Sequence, residues 1–152
     1  YEICDYLGER DHEKCEPGNP GGQIDAPFGG ISFTQAFHSS SYQGRYLGMP
    51  CGLMIEFGGA IVYHAGDTSL FSDTELLGQI YQPNIALLPI GDRFTMGPEM
   101  AAVAAEMIGA DTAIPMHYNT WPQIEVDVKR FAPKDIEVLV MEPGDAIDLA
   151  EK

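Results

Sequence analysis

Positive charge is scarce in this chain. Eight Lys and Arg residues stand against 23 Asp and Glu among 152, a net charge of −15. Binding a polyphosphate requires an excess of cations, so this balance argues against DNA or RNA as a partner, and against docking on anionic lipid. No stretch approaches the ~20 apolar residues that span a bilayer, and a signal peptide is not expected. Cysteine is sparse. Cys4, Cys15 and Cys51 are odd in number and widely spaced, with neither a CxxC knuckle nor a disulfide framework among them. A reducing, cytoplasmic setting is expected. Histidine is limited to His12, His38, His64 and His117, and an initiator Met is lacking.

What is present is a core. Hydrophobic residues make up 45% of the chain. That suffices for one packed domain at this length, and disorder is not expected. Residues 1–10 read as a helix with Ile3 and Leu7 on one face. Nothing precedes them to cap it, so the chain is expected to begin upstream of Tyr1. Residues 11–22 are a Gly- and Pro-rich loop.

Residues 31–37 alternate as a strand. Residues 51–57 and 60–64 read as two strands joined by the Gly58-Gly59 turn. Helices and strands then alternate. A capping box at Ser72-Asp-Thr-Glu75 opens a helix, and residues 85–90 form a buried strand. A helix from Pro98 stops near Gly109. Residues 112–116 are the next strand, 123–131 a candidate helix, and 136–141 a last strong strand, with a short one possible after Gly144-Asp145.

Four apolar runs end abruptly in a metal-competent residue: Phe37-His38, Tyr63-His64-Ala-Gly-Asp67, Ile90-Gly-Asp92 and Met116-His117. If residues 31–37 pair antiparallel with 51–57, then 31–37, 60–64, 85–90 and 112–116 all run one way. His38, Asp67, Asp92 and His117 then emerge at one sheet edge, where α/β sheets bind ligands. Two imidazoles with one or two carboxylates suit a borderline-soft divalent ion such as zinc, which activates water for hydrolysis. Taken singly, each has a plainer role: a hydrogen-bonded structural His, or an Asp in a turn.

The same segments carry a resemblance. Phe37-His-Ser-Ser-Ser41, Tyr46-Leu-Gly-Met-Pro50, Tyr63-His-Ala-Gly-Asp-Thr68, Leu88-Pro-Ile-Gly-Asp92, Phe94-Thr-Met-Gly-Pro98 and Ile114-Pro-Met-His-Tyr-Asn-Thr120 resemble the metallo-β-lactamase superfamily. Within it they are most similar to metal-dependent hydrolases akin to L-ascorbate-6-phosphate lactonase. The resemblance implies an α/β (α+β by some schemes) fold: part of an αββα sandwich, a mixed sheet with helices on its outer face. It implies one or two divalent ions, zinc first, with manganese, iron or nickel open. By this analogy His38 serves the first metal, His117 the second, and Asp67 both, with Asp67 and His117 catalytic. His64 and Asp92 become supporting residues behind the ligands. Ser39, Ser40, Thr68 and Asn119 are at most supporting or substrate-facing, with loop hydrogen bonding the plainer role.

One motif of that family is missing. His-x-His-x-Asp-His belongs upstream, and Arg10-Asp-His-Glu-Lys14 is not it, so His12 is not expected to bind metal. The expectation is a single, N-terminally truncated domain over 1–152. Alone it binds metal weakly, because a stable catalytic zinc takes three protein ligands plus water. Removing half a sandwich exposes the apolar face it covered, so a homo-oligomer, or a partner supplying the missing half, is expected. The complete protein is expected to hydrolyse an ester, lactone or phosphoester of a small molecule. Two other readings stay open: a non-catalytic binding or scaffold subunit, and one chain of a two-chain hydrolase. A redox di-iron centre would need more carboxylate and His ligands than the chain offers.

Overall fold

The computed structural model describes residues 1–12 and 14–149. The chain opens with helix α1 (Glu2–Gly8), followed by β1 (Gln23–Ala26), β2 (Gly29–Gln35), β3 (Ser41–Tyr42), β4 (Arg45–Tyr46), β5 (Cys51–Phe57) and β6 (Ala60–His64). Then come α2 (Asp73–Tyr81), β7 (Ile85–Pro89), α3 (Pro98–Ile108), β8 (Thr112–Met116) and β9 (Glu137–Val138). Among the described residues the main sheet has the order β1-β2-β5-β6-β7-β8-β9, and β3-β4 form a separate hairpin. Gly58 and Gly59 close the β5–β6 hairpin with φ of 61° and 89°, a backbone that glycine enters without a Cβ penalty.

Register divides the sheet into two unlike faces. One row runs Met54, Tyr63, Ala86, Ala113. It is buried in one cluster with Ala101, Ala104, Ala105 and Ile108 of α3. The helices therefore cover this face. The opposite face carries the rows Ile31-Ile55-Val62-Ile85 and Phe33-Leu53-His64-Leu87-Ile114. Ile85 and Ile114 are buried, but Ile31, Phe33, Leu53, Ile55, Val62 and Leu87 are only half-buried. The sheet is thus apolar on both faces; α2 and α3 cover one, while the start of α1 lines a cavity with Phe33 and Leu53 of the other. No helix among the described residues is long and apolar enough to cross a membrane.

Several sequence expectations need correction. The capping box at Ser72 does not form. Ser72 is itself helical (φ −63°, ψ −34°), and its hydroxyl lies 3.3 Å from Asp73 Oδ1. The first turn closes instead through Thr74 N–H to the Phe71 carbonyl. The helix expected over 123–131 is replaced by two 3-10 turns, Pro122–Ile124 and Val128–Arg130. Side chains intercept its backbone donors: Val126 N–H donates to Asn119 Oδ1 (2.8 Å) and Lys129 N–H to Asp127 Oδ1 (3.1 Å).

The strand expected over 136–141 shrinks to Glu137–Val138. Glu137 N–H donates to the Asp111 carbonyl and Leu139 N–H to that of Ala113. The next β8 residue turned toward β9 is Pro115, which has no N–H, and the ladder stops. No strand forms over 145–149. Strand β2 ends at Gln35 rather than residue 37, β1 forms in a segment with no sequence assignment, and the β3-β4 hairpin forms where the sequence reads as a polar loop.

Candidate metal centre

Strands β2, β6, β7 and β8 share one direction, since β5 is antiparallel to both β2 and β6 while β7 and β8 run parallel to β6. Their carboxyl ends therefore meet at one edge.

The turn after β6 presents Asp67. Ala65 N–H donates to the Leu87 carbonyl (3.1 Å), which holds the chain against β7. Gly66 then turns with φ 65°, and a Cβ there would lie 2.6 Å from the Cys51 carbonyl oxygen. Only glycine fits. Buried Thr68 ties this turn to the end of β2: its hydroxyl accepts from Phe37 N–H (2.9 Å) and donates to the Ser69 carbonyl (2.9 Å). Ser69 N–H donates back to the Phe37 carbonyl (3.2 Å). The backbone before His38 is thus pinned to the Asp67 turn.

His117 follows β8 in a left-handed conformation (φ 56°) that swings its ring toward Asp67. Its Nε2 lies 3.5 Å from Asp67 Oδ2. Its Nδ1 is buried with no hydrogen-bond partner. Gly91 makes room for this residue, since a Cβ there would collide with the His117 carbonyl and crowd Ile124 and the His117 ring. Gly91→Ala is therefore expected to displace His117. The overpacking costs about 1–3 kcal/mol, read as a drop of several degrees in melting temperature; an unchanged melting curve would show that the contact is not tight.

The other predicted residues lie as follows. His64 is half-buried on the apolar face, and its Nδ1 accepts from Gly66 N–H (3.1 Å), so in the neutral ring Nε2 carries the proton. His38 is exposed, its Nδ1 2.8 Å from the Ser39 carbonyl. Asp92 is exposed in a turn (φ 66°), exchanging backbone bonds with Thr95 and Met96. The Ser40 carbonyl accepts from Leu47 N–H, and Asn119 braces the loop after His117. His12 sits in the turn after α1.

The structure thus brings Asp67 and His117 together, and leaves His38 outside that contact. Among the described residues, no three His, Cys, Asp or Glu side chains converge as a metal set. The pair itself fits an ion. Two ligands on one tetrahedral zinc, with bonds of 2.0–2.1 Å, stand about 3.3 Å apart, close to the 3.5 Å observed.

Sequence reasoning missed the wall beside this pair. Trp121 meets the His117 ring edge-on, 5.8 Å between centroids, and Phe94 lies 6.5 Å from Trp121. Both rings are partly exposed, and Arg93 reaches over Phe94. The available signal was position: the chain's one Trp stands four residues past His117.

Comparison with known proteins gives the family. A family model described as a beta-lactamase superfamily domain matches residues 3–118. A UPF0173 metal-dependent hydrolase of Geobacillus thermodenitrificans is 48% identical, over 98% of this chain and 69% of its own. One from Shouchella clausii is 44% identical, over 97% and 68%. Among solved structures, Igni18, a metallo hydrolase of the archaeon Ignicoccus hospitalis, superposes with a TM-score of 0.84 at 39% identity, covering 97% of this chain and 65% of its own. The chain spans about two-thirds of the length of these relatives. With a mixed sheet, helices on one face and an Asp–His pair at the strand ends, the chain belongs to the beta-lactamase superfamily, in its UPF0173 group of metal-dependent hydrolases.

Proposed function

We propose that the complete protein hydrolyses an ester, lactone or phosphoester of a small molecule, using one or two divalent ions, zinc first, at the edge that carries Asp67 and His117. The 3.5 Å approach of Asp67 Oδ2 to His117 Nε2 carries this reading. Bound there, an ion supplies Lewis acidity and a hydroxide nucleophile near neutral pH. The backbone at Asp67 is held by the Gly66 turn and Thr68, so the turn is shaped before anything binds. His117 offers Nε2 on the same side. His38, one residue beyond a backbone pinned to the Asp67 turn, completes the set with ligands from the part of the protein beyond this chain. His64 braces the Asp67 turn through Gly66. Trp121 and Phe94 give a substrate an apolar wall and exclude water from one side.

The one Trp provides a readout. Titrating the chain with zinc or cobalt is expected to change Trp121 fluorescence with a midpoint above micromolar, because two ligands hold an ion weakly. Asp67→Ala abolishes the change. A flat titration to millimolar metal would sink the pair as a metal site.

A second reading rests on the lack of a third converging ligand among the described residues. In it this chain is a non-catalytic subunit, or one chain of a two-chain hydrolase. Metal retained at full occupancy only when a second polypeptide is present would decide for the two-chain form.

A further inference from the structure

The segment between β7 and α3 carries a cation to the edge that holds Asp67 and His117. Arg93 N–H donates to the Gly91 carbonyl (3.0 Å) and Thr95 N–H to that of Asp92 (3.1 Å), which turns the chain there. Gly91, two residues before Arg93, packs against the His117 carbonyl and ring. The Arg93 guanidinium carbon lies 5.7 Å from the centre of the Phe94 ring. Phe94 is 6.5 Å from Trp121, and Trp121 meets the His117 ring at 5.8 Å. A guanidinium, two partly exposed rings and an imidazole thus follow one another along the edge.

Arg93 differs from the other arginines of the chain. Arg10 pairs with Glu9, Arg45 with Asp5 and Glu9, and Arg130 with Glu99. Among the described residues Arg93 makes no such pair; it is exposed, with the Phe94 ring as its neighbour. In a chain of net charge −15 the surface at large repels an anionic ligand. A guanidinium left open at one point offsets that repulsion locally, and its planar fork of donors matches a carboxylate or a phosphate.

We propose, resting on the hydrolytic reading of this edge, that Arg93 selects substrates that carry an anionic group, a carboxylate or a phosphate, on an apolar body. The body lies along Phe94 and Trp121, whose ring faces and edges suit a planar group. The anion sits on Arg93, and the bond to be cleaved lies at the other end, toward His117. Holding the anion on a guanidinium keeps it from competing for the Asp67–His117 pair. Arg93 then sets which molecules bind and takes no part in the bond cleavage itself.

The test titrates the full-length protein, as purified, with benzoate, phenylphosphonate and the neutral benzyl alcohol, and reads each Kd by ligand-observed NMR. None of the three has a bond to hydrolyse, so the result stands apart from catalysis; failure of the hydrolytic reading shows instead in the metal content of the Asp67 and His117 variants. At least one anion is expected to bind about fivefold tighter than benzyl alcohol, the scale of a well-formed exposed ion pair, and the tighter of the two names the group. The preference narrows as salt is raised. Arg93→Met removes it and keeps the wild-type melting curve, while Arg93→Lys retains part of it. Trp121→Leu weakens all three probes. Should that variant misfold, the two Arg93 variants decide alone. Equal affinity of the wild type for anion and alcohol, a preference that survives Arg93→Met, or no binding of any probe at millimolar concentration would overturn the proposal, as would a folded Trp121→Leu that binds all three unchanged.

Discussion

Replacing Asp67 or His117 by Ala in the full-length protein is expected to lower hydrolase turnover by more than about a hundredfold. Losing only the outer hydrogen-bond partners of a metal ligand already costs roughly 10- to 100-fold, and these two residues are proposed as ligands themselves. The loss should appear without unfolding. Asp67 sits half-buried in a turn whose shape is set by Gly66 and Thr68, not by its own carboxylate. His117 holds an unpaired Nδ1 that contributes no hydrogen bond to the fold. Both variants should therefore keep near-normal melting curves while losing activity. Asp92→Ala gives the contrast. Its carboxylate is not drawn into the Asp–His contact, so a far smaller effect is expected. Equal losses in all three would mean that general disruption of the edge, rather than the pair, governs activity.

The second large effect concerns the open sheet face. The chain alone is expected to self-associate through the rows Ile31-Ile55-Val62 and Phe33-Leu53-Leu87. Burying one aliphatic or aromatic side chain is worth about 1.5–3 kcal/mol. Six half-buried ones thus leave on the order of several kcal/mol available to whatever covers them. Light scattering should find a dimer or larger species. Leu53→Glu with Val62→Glu should return a monomer, because two carboxylates at the centre of the face cannot be buried unpaired. A wild-type monomer that binds no hydrophobic dye would contradict this.

The edge was legible in the sequence because its logic is directional. Once the Gly58-Gly59 hairpin fixes β5 against β6, and helices carry the chain from β6 to β7 and on to β8, the strand ends must meet. The failures have local causes. Residues 123–131 have helical spacing, yet Asn119 and Asp127 take the donors a helix would use. The strand at 136–141 has ideal composition, but its partner offers Pro115 where an N–H is needed. The Ser72 box has the right residues and the wrong backbone. Gly91 was unreadable, since a glycine's close approach depends on what packs against it. His38 shows the limit of edge logic: its backbone reaches the Asp67 turn, but its ring is exposed with Nδ1 on the Ser39 carbonyl, outside the Asp67–His117 contact.

The most direct test is the metal content of the purified full-length protein and of its His38→Ala, Asp67→Ala and His117→Ala variants, measured side by side by plasma mass spectrometry. One or two divalent ions per chain in the wild type, with a marked loss in each variant, is the expected result. Unchanged metal in all three would contradict the assignment of this edge as the metal centre.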